Sequence, residues 1–377
     1  MIRVLQVLTI MNRGGAETMI MNYYRAIDRS KVQFDFLLHR QEKGAYDDEI
    51  EALGGKIYRL FPISPKNYKA YKTAVHDFLL EHKEYHIIHS HLNALSFIIL
   101  KEATQLGVPV RIAHSHIAVE SSVLKKVFKK NTDILGTVKD FIQHRLRKKV
   151  AKYATHYFAC GEKAGLWLYG QANLSKVFVM NNAIDSSVFT YDKSISDATK
   201  ASLGLVNKKV IGHVGRFNEQ KNHFFLIDIM KHLVAIDDSY RLLLIGEGNL
   251  KEKIKAKVNQ YNLQEHVVFM GVRTDINVLL QAIDLFVFPS LYEGLPVTLV
   301  EAQASGTRIL ASDTISTEVA ITNLVHFESL LTTPKDWALE ANQLIDYTKP
   351  NTHQEIISGG YDIYQNAKDI QSFYLKQ

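Results

Sequence analysis

Four charged residues in the second half of the chain have the types and spacing of a site for a phosphorylated ligand. Arg216 and Lys221, five positions apart, follow one apolar run, and Glu293 and Glu301, eight positions apart, follow another. Fixed cations at a strand end can stabilise the negative charge that grows on a departing diphosphate. A carboxylate among apolar neighbours, such as Glu301, needs a polar partner, because an unpaired buried charge is costly. By spacing alone, all four could also be ordinary surface residues.

The segment that carries Glu293 joins a predicted strand to a predicted helix. Residues 285–288 are apolar, as a buried strand requires, and Pro296 stands where the first turn of a helix tolerates proline. A helix that begins after a glycine turn offers free backbone N–H groups and the positive end of its dipole. The chain around Leu295, Pro296 and Val297 is therefore a candidate anion site.

The same tripeptide, His-Ser-His, closes two predicted strands in the first half of the chain, at 89–91 and 114–116. Ligands of open parallel sheets collect at the carboxyl ends of strands. A single histidine in such a place is more often structural, but four in matching positions indicate a ligand site. Binding of a metal ion is the other interpretation, although no carboxylate motif accompanies the H-x-H pairs.

Short apolar runs alternate with helical patterns over residues 1–185 and again from Val210 onward. This alternation predicts parallel α/β sheets. Since 377 residues exceed what one core usually organises, we expect two domains. The first apolar run leads to Gly14 and Gly15, where the missing side chains let backbone approach a ligand at a helix N-terminus.

The net charge of +6 is concentrated in one segment. Residues 121–152 carry ten basic and two acidic side chains, a local charge of +8 that leaves −2 for the rest of the chain. Apolar residues recur there at helical spacing, which predicts basic amphipathic helices. These helices present either a solvated face or a surface for an anionic membrane. Nucleic acid is not expected as a partner, because no aromatic base-reading pattern accompanies the charges.

Two features bear on the compartment. The single cysteine, Cys160, excludes an internal disulfide framework and suits a reducing environment. No apolar run approaches the roughly 18 residues that span a bilayer. We therefore expect a cytoplasmic protein that binds peripherally to the inner face of the cell membrane through segment 121–152.

Residues 289–306, PSLYEGLPVTLVEAQASG, closely resemble the donor-site signature of the GT4 family of retaining glycosyltransferases. The run G-R-x4-K at 215–221 resembles the donor-phosphate pair of that family, with Asn222 where glycine is frequent. The run NNAID at 181–185 resembles the exit sequence of the first domain, with Ala183 in place of glycine. The resemblance is strong in the second half of the chain and looser in the first.

This resemblance implies a GT-B fold, an α/β architecture in which two Rossmann-like domains face a central cleft. Residues 1–185 would form the N-terminal acceptor-binding domain, and residues 186–352 would bind the nucleotide sugar. The C-terminal segment, 353–377, would pack back on the first domain, with a terminal helix over Tyr361 to Tyr374 that crosses to it.

The same resemblance assigns roles on the donor side. Glu301 would hold the ribose hydroxyls, and Glu293 would hold the donor sugar near its reacting carbon. Arg216 and Lys221 would bind the diphosphate. Backbone near the phosphates would come from Gly15, Leu295, Pro296 and Val297.

The nucleobase would contact Val272 and Arg273, just after Gly271. Arg273 has a competing structural role as the partner of Asp275. UDP is the nucleotide that this part of the resemblance favours.

On the acceptor side, His114 matches the family's histidine that points toward the transferred sugar. His116 is the alternative, because the tripeptide leaves the register ambiguous by two residues. His91 and Gly14 are further candidates for contact with the acceptor.

The implied activity is the transfer of a hexose, with retention, from a UDP-sugar or similar donor. The acceptor would be a hydroxyl of a sugar or lipid-linked molecule in bacterial exopolysaccharide or capsule synthesis. No D-x-D motif occurs, so we expect no metal or other cofactor, with fixed cations taking the place of the metal. The alternatives are a nucleotide-sugar epimerase or phosphorylase of the same fold, and a non-catalytic sugar-nucleotide-binding protein.

Overall fold

A computed structural model of the chain describes residues 1–117 and 145–377. The described residues group into two compact units. The first contains residues 1–117, 145–183 and 363–377, and the second contains residues 184–362.

The first unit is built on a seven-stranded sheet whose strand pairings are all parallel. The strands are β1 Ile2–Leu8, β2 Val32–Leu38, β3 Ile57–Arg59, β4 Ile87–Ser90, β5 Val110–Ser115, β6 His156–Ala159 and β7 Val177–Val179. Their order is β3-β2-β1-β4-β5-β6-β7. The direction of winding therefore reverses between β1 and β4, which creates a switch point where parallel α/β sheets bind ligands.

Helices connect these strands, as parallel pairing requires. They are Gly15–Ala26, Asp47–Ala52, Tyr68–Glu81, Ser96–Gln105, 145–153, Glu162–Tyr169 and Ile363–Leu375, with 3-10 turns at Pro65–Asn67, Asn93–Leu95 and Gln171–Lys176. Most of the basic segment, residues 121–144, lies outside the described residues, so the predicted amphipathic helices are described only over 145–153.

The C-terminal helix Ile363–Leu375 belongs to the first unit. The hydroxyl of Tyr23 donates to Oδ1 of Asn366 at 3.3 Å, and the ring of Tyr374 packs edge-on against Phe34 at 5.9 Å between centroids. The preceding helix, His353–Ser358, groups with the second unit.

The second unit contains a six-stranded parallel sheet. Its strands are β8 Lys209–Val214, β9 Tyr240–Ile245, β10 Val267–Gly271, β11 Leu285–Phe288, β12 Arg308–Ser312 and β13 Val325–Glu328, in the order β10-β9-β8-β11-β12-β13. This sheet has its switch point between β8 and β11. The two predicted α/β domains are thus confirmed, and each places its switch point beside its first strand.

The helices of the second unit are Lys193–Ser202, His223–Ile236, Lys251–Gln260, Ile276–Ala282, Val297–Ala304, Pro334–Leu344 and His353–Ser358, with 3-10 turns at Ser186–Phe189, Glu219–Lys221 and Thr317–Val319. The buried Trp337 closes its core, and the indole N–H donates to the carbonyl of Ser329 at 2.9 Å. Within the two described ranges, no helix of either unit has both the length and the apolar character needed to cross a membrane.

Candidate active site

The loop after β8 carries Arg216 and Lys221 at the switch point of the second sheet. Glycine holds this loop against the neighbouring strand end, since a Cβ on Gly246 would lie 2.1 Å from the carbonyl oxygen of Gly215. Gly246 also has φ 138°, which residues with a side chain rarely adopt. Backbone packing therefore fixes the loop that presents both cations.

Asn222, the departure from the family's glycine, adopts the left-handed conformation that glycine also favours, with φ 54°. Its side chain donates from Nδ2 to the carbonyl of Pro289 at 3.1 Å. The substitution thus keeps the backbone conformation and ties the loop after β8 to the end of β11.

Lys221 and Glu293, predicted from separate motifs, form an ion pair. Nζ of Lys221 lies 2.7 Å from Oε1 of Glu293, and the two side chains are only 14% and 10% exposed. The other carboxylate oxygen, Oε2, accepts a hydrogen bond from Nε2 of Gln220 at 3.1 Å. Gln220 also donates to the carbonyl of Tyr292 at 2.9 Å. Two consecutive residues therefore hold both oxygens of one carboxylate.

Arg216 differs from Lys221 in its surroundings. The guanidinium group is exposed, and it forms no ion pair with any carboxylate in residues 1–117 and 145–377. The site therefore contains one cation that is already neutralised and one that is available to an anion.

Glu301 lies on the helix Val297–Ala304 and is 8% exposed. Burial raises the pKa of the Glu301 carboxyl to about 7. Its carboxyl group forms no hydrogen bond or ion pair with the described residues. A buried carboxyl without a partner is costly, so this group is the strongest candidate in the second unit for contact with a ligand.

The helix that carries Glu301 starts at Val297, and Pro296 occupies its N-cap position without a side-chain cap. Proline has no N–H and no polar side chain, so the residue types at 295–297 supply no side-chain partner for the helix end. The predicted anion site at Leu295, Pro296 and Val297 therefore lies at an uncapped N-terminus.

The predicted nucleobase contacts lie after β10, at the edge of the second sheet. Val272 is exposed, and Arg273 forms a two-point ion pair with Asp275 at 2.8 and 2.6 Å. The structural partnership of Arg273 is therefore present. A nucleobase contact by Val272 and Arg273 stays a prediction.

In the first unit, Gly14 is the N-cap of the helix Gly15–Ala26, directly after β1. A Cβ added at Gly15 would meet no atom within 4 Å. Packing within the described protein therefore does not demand glycine at 15. The open space agrees with a position that a ligand approaches.

Four histidines, which we call the histidine array, lie at the carboxyl ends of β4 and β5: His89, His91, His114 and His116. The rings stack in two pairs, His89 on His91 at 4.4 Å and His114 on His116 at 4.1 Å between centroids. His89, His91 and His114 are buried, whereas His116 is half-buried. Of the two candidates for sugar contact, His116 therefore keeps access to solvent and His114 has none.

Hydrogen bonds link the array across the two strands. Nε2 of His89 lies 3.1 Å from Nδ1 of His114, and Nδ1 of His91 lies 2.8 Å from Nε2 of His116. Burial lowers the pKa of all four imidazoles, that of His116 to about 3. The array is therefore neutral at pH 7, unlike the charged site of the second unit.

Ring nitrogens of His89, His91 and His114 lie within 4.8 Å of one another, a spacing that could hold a metal ion. The rings of His89 and His91, and those of His89 and His114, are stacked. The nitrogens of His89 and His91 are also engaged in hydrogen bonds. A metal ion would have to reorient these rings, so the array as described fits hydrogen bonding better.

Sequence reasoning missed three residues that the structure adds to these sites. Gln220 holds Glu293, and its only sequence signal is its position beside Lys221. Gln6 and Tyr374 contact the histidine array. The signal for Gln6 was a polar side chain inside an apolar strand. Tyr374 gave none, because it is 285 positions from His89.

The chain matches known proteins over its full length. Residues 196–361 match the model of the family described as glycosyl transferases group 1. The putative glycosyltransferase EpsF of Bacillus subtilis is 38% identical over 99% of this chain and 96% of its own. The capsular polysaccharide biosynthesis glycosyltransferase CapH of Staphylococcus aureus is 24% identical over 100% of this chain and 99% of its own.

A third relative has a name that states its reaction. The UDP-Gal:alpha-D-GlcNAc-diphosphoundecaprenol alpha-1,3-galactosyltransferase of Escherichia coli is 27% identical over 79% of this chain and 77% of its own. Among solved structures, Anabaena Alr3699/HepE in complex with UDP-glucose superposes with a TM-score of 0.79 at 17% identity, over the whole of both chains. This likeness establishes the GT-B fold. By its full-length identity to EpsF and its match to the family model, the chain belongs to the group 1 glycosyltransferases, whose relatives here include enzymes of polysaccharide biosynthesis.

Proposed function

We propose that the protein transfers a hexose, with retention, from a UDP-sugar to a hydroxyl of a sugar or lipid-linked acceptor in bacterial exopolysaccharide or capsule synthesis. The observation that carries this proposal is one strand-turn-helix segment with two buried carboxylates. Glu293 is paired with Lys221, whereas Glu301 has no partner among the described residues. A donor with a diphosphate, a ribose and a sugar supplies partners of the right chemistry for both.

Glu301 suits the ribose. Its carboxylate oxygens accept hydrogen bonds, and two neighbouring hydroxyls donate them. Binding would also relieve the cost of an unpartnered buried carboxyl. Because burial raises the pKa of Glu301 to about 7, the ionised form that accepts both hydroxyls gains population as the pH rises through 7.

The diphosphate would be held by Arg216 and Lys221, with the uncapped helix end at 295–297 as a third source of positive charge. Lys221 must leave part of its contact with Glu293 to meet a phosphate. The freed carboxylate oxygen would then accept a hydroxyl of the donor sugar. In this proposal the ion pair holds Lys221 and Glu293 in position before the donor binds. The positive charges of Arg216, Lys221 and the helix end take the role of a metal ion.

UDP is the preferred nucleotide for two reasons. One relative is named for a UDP-Gal donor, and the protein of one similar fold was solved with UDP-glucose. The name of that relative also states a lipid diphosphate acceptor. These are properties of those proteins, and they support the same classes of donor and acceptor here.

A lipid-linked acceptor is consistent with the proposed peripheral contact of segment 121–152 with the inner membrane surface. In the described part of that segment, Arg147 and Lys149 lie over the rings of Trp167 and Phe97 at 5.5 and 5.4 Å. These two side chains thus already have partners within the protein. The cations within 121–144 would carry most of the attraction to anionic lipid.

The donor proposal is tested by calorimetric titration of the full chain with UDP, GDP and ADP in the presence of EDTA. We expect UDP to bind in the micromolar range, and Glu301→Ala to abolish that binding. Glu252→Ala, which removes an exposed carboxylate of the same unit, is the matched control. Binding of none of the three nucleotides would contradict the donor site, and binding that requires a metal would contradict metal independence.

The reaction itself is tested by incubating a UDP-hexose with and without a polyprenyl-diphosphate sugar. We expect a glycosylated lipid product with the α configuration of the donor. Conversion of the donor sugar without an acceptor would indicate an epimerase instead.

A further inference from the structure

Two hydrogen-bonded chains run through the histidine array and end on residues from other elements. In one, the hydroxyl of Tyr374 lies 2.7 Å from Nδ1 of His89, whose Nε2 contacts His114. In the other, Oε1 of Gln6 lies 2.9 Å from Nε2 of His91, whose Nδ1 contacts His116. Only the second chain leads to a histidine that is not fully buried.

The protons of the second chain can be placed by starting from Gln6. A neutral imidazole has one N–H and one lone pair. In the amide orientation that the structure has, Oε1 of Gln6 faces His91 and can only accept, so in that orientation Nε2 of His91 carries the proton. Nδ1 of His91 is then the acceptor, and Nε2 of His116 must donate to it. The proton of His116 is thereby used, and its Nδ1 is left with a lone pair.

We infer that Gln6 is a positioning residue, which acts through His91 to lock His116 in the Nε2–H tautomer, so that Nδ1 of His116 accepts a hydrogen bond from a hydroxyl group of a bound sugar. Nδ1 of His116 has no hydrogen-bond partner in the part of the chain that the structure describes. The inference rests on the proposed function for the identity of the sugar. The tautomer lock itself does not depend on the proposed function.

The position of His116 is fixed as well as its protonation. Its backbone N–H donates to Oδ1 of Asn93 at 2.7 Å, and Asn93 adopts φ 52°. Few residues other than glycine tolerate that conformation, and asparagine is among them. The ring stacks on His114 at 4.1 Å. Backbone, ring and proton are therefore set before a ligand arrives.

The lock is tested in the unliganded full chain by long-range 1H–15N correlation spectra of protein labelled with 15N-histidine. Nitrogen shifts distinguish the two neutral tautomers, and His91→Gln and His116→Gln assign the resonances. We expect both His91 and His116 to show a protonated Nε2 and an unprotonated Nδ1 between pH 6 and 8.

Gln6→Met removes the amide while keeping the length of the side chain. We expect both tautomers of His91 and His116 in this variant, and kcat/KM for the sugar substrate lower by about 3- to 10-fold, the effect of one hydrogen bond. Gln33→Met is the matched control, since Gln33 is also a buried glutamine of the first sheet and its amide bonds to Leu53. We expect wild-type tautomers and kcat/KM in that control.

A proton on Nδ1 of His91 or His116 in the wild-type protein would overturn the inference, because it would require the reverse orientation of the Gln6 amide. Wild-type tautomers in Gln6→Met would overturn the role of Gln6. A shift of the His89, His91 and His114 nitrogen resonances on adding one equivalent of Zn²⁺ would identify a metal site in place of the lock. Each of these results leaves UDP binding unaffected, so failure of the lock is distinguishable from failure of the donor site.

Discussion

The two sheets share the same order of their first six strands but carry opposite kinds of candidate site at the carboxyl ends of their strands. Beside β8 and β11 the site is charged, with the Lys221–Glu293 ion pair, exposed Arg216 and Glu301, which has no partner within residues 1–117 and 145–377. At the ends of β4 and β5 it is neutral, with four imidazoles whose pKa values are lowered by burial. The same strand order therefore presents two candidate sites of different chemistry.

The difference lies in what each site must do before its ligand binds. A diphosphate requires fixed positive charge, and charge is tolerated only where it is paired or reaches solvent. Hydroxyl groups require donors and acceptors of known direction, which neutral rings provide even in full burial. We therefore expect substitutions at the charged site to change activity first and substitutions deep in the neutral array to change stability first.

The sharpest test of this contrast is Lys221→Ala. Removing one preorganised charge that stabilises a leaving group costs about 2.7–4 kcal/mol, or roughly 10²–10³ in kcat. Steady-state transfer assays measure the loss, with Lys255→Ala, an exposed lysine of the same unit, as the control. Turnover close to that of the wild type would remove Lys221 from the phosphate site.

The pH dependence of stability gives a second test. The folded-state pKa of Glu301, about 7, lies above its ordinary value of 4.5, so the folded protein binds the extra proton between these values. The free energy of unfolding therefore falls as the pH rises through that window, by about 3 kcal/mol when complete. Glu301→Gln should raise Tm at pH 8 and leave it nearly unchanged at pH 5.

Calorimetric scans of wild type, Glu301→Gln and Glu252→Gln at both pH values measure this effect. The last variant controls for the loss of a carboxylate at the surface. An equal shift of Tm at pH 5 and pH 8 in Glu301→Gln would show that burial does not perturb the carboxyl.

A smaller effect is expected where a neutral group supports the charged site. Gln220→Met removes the amide that donates to Oε2 of Glu293 and should lower kcat/KM for the donor by about tenfold, in the range for a hydrogen bond to a charged group. Gln260→Met, an exposed glutamine of the same unit, is the control. Unchanged kinetics would mean that Lys221 alone positions Glu293.

The neutral array should respond in the opposite way. Tyr374→Phe leaves Nδ1 of His89 without its partner and should lower the stability of the first unit by about 1 kcal/mol, a shift of roughly 2–4 °C in Tm. UDP binding should be unchanged. Tyr68→Phe, at an exposed tyrosine of the same unit, is the control for scanning calorimetry. A loss of UDP binding without a shift in Tm would contradict the expectation that the histidine array affects stability and the charged site affects activity.

Local sequence predicted both sheets and the residues of the charged site, because each motif lies within one strand and its following turn. Lys221 and Glu293 come from two such motifs, but their 2.7 Å contact depends on which strands are neighbours. The adjacency of β8 and β11 follows from the strand order, which local sequence patterns do not specify. The role of Gln220 depends on the same adjacency, so the sequence alone does not predict it.

The histidine array shows the same limit more strongly. Its four histidines were predicted to mark a site, yet the partners that orient them come from the first strand and the last helix. Gln6 is 85 positions from His91, and Tyr374 is 285 positions from His89. Tautomers depend on such distant partners, so they cannot be inferred from the tripeptides alone.

The return of the last helix to the first unit has a consequence for synthesis on the ribosome. Among the described residues, the second unit is one continuous stretch, 184–362, whereas the first unit also includes residues 363–377. Domains generally fold as their residues emerge. The unit that is translated first is therefore completed last, and until then its Phe34 surface lacks the ring of Tyr374. The nascent first unit thus exposes an apolar surface that the finished protein covers.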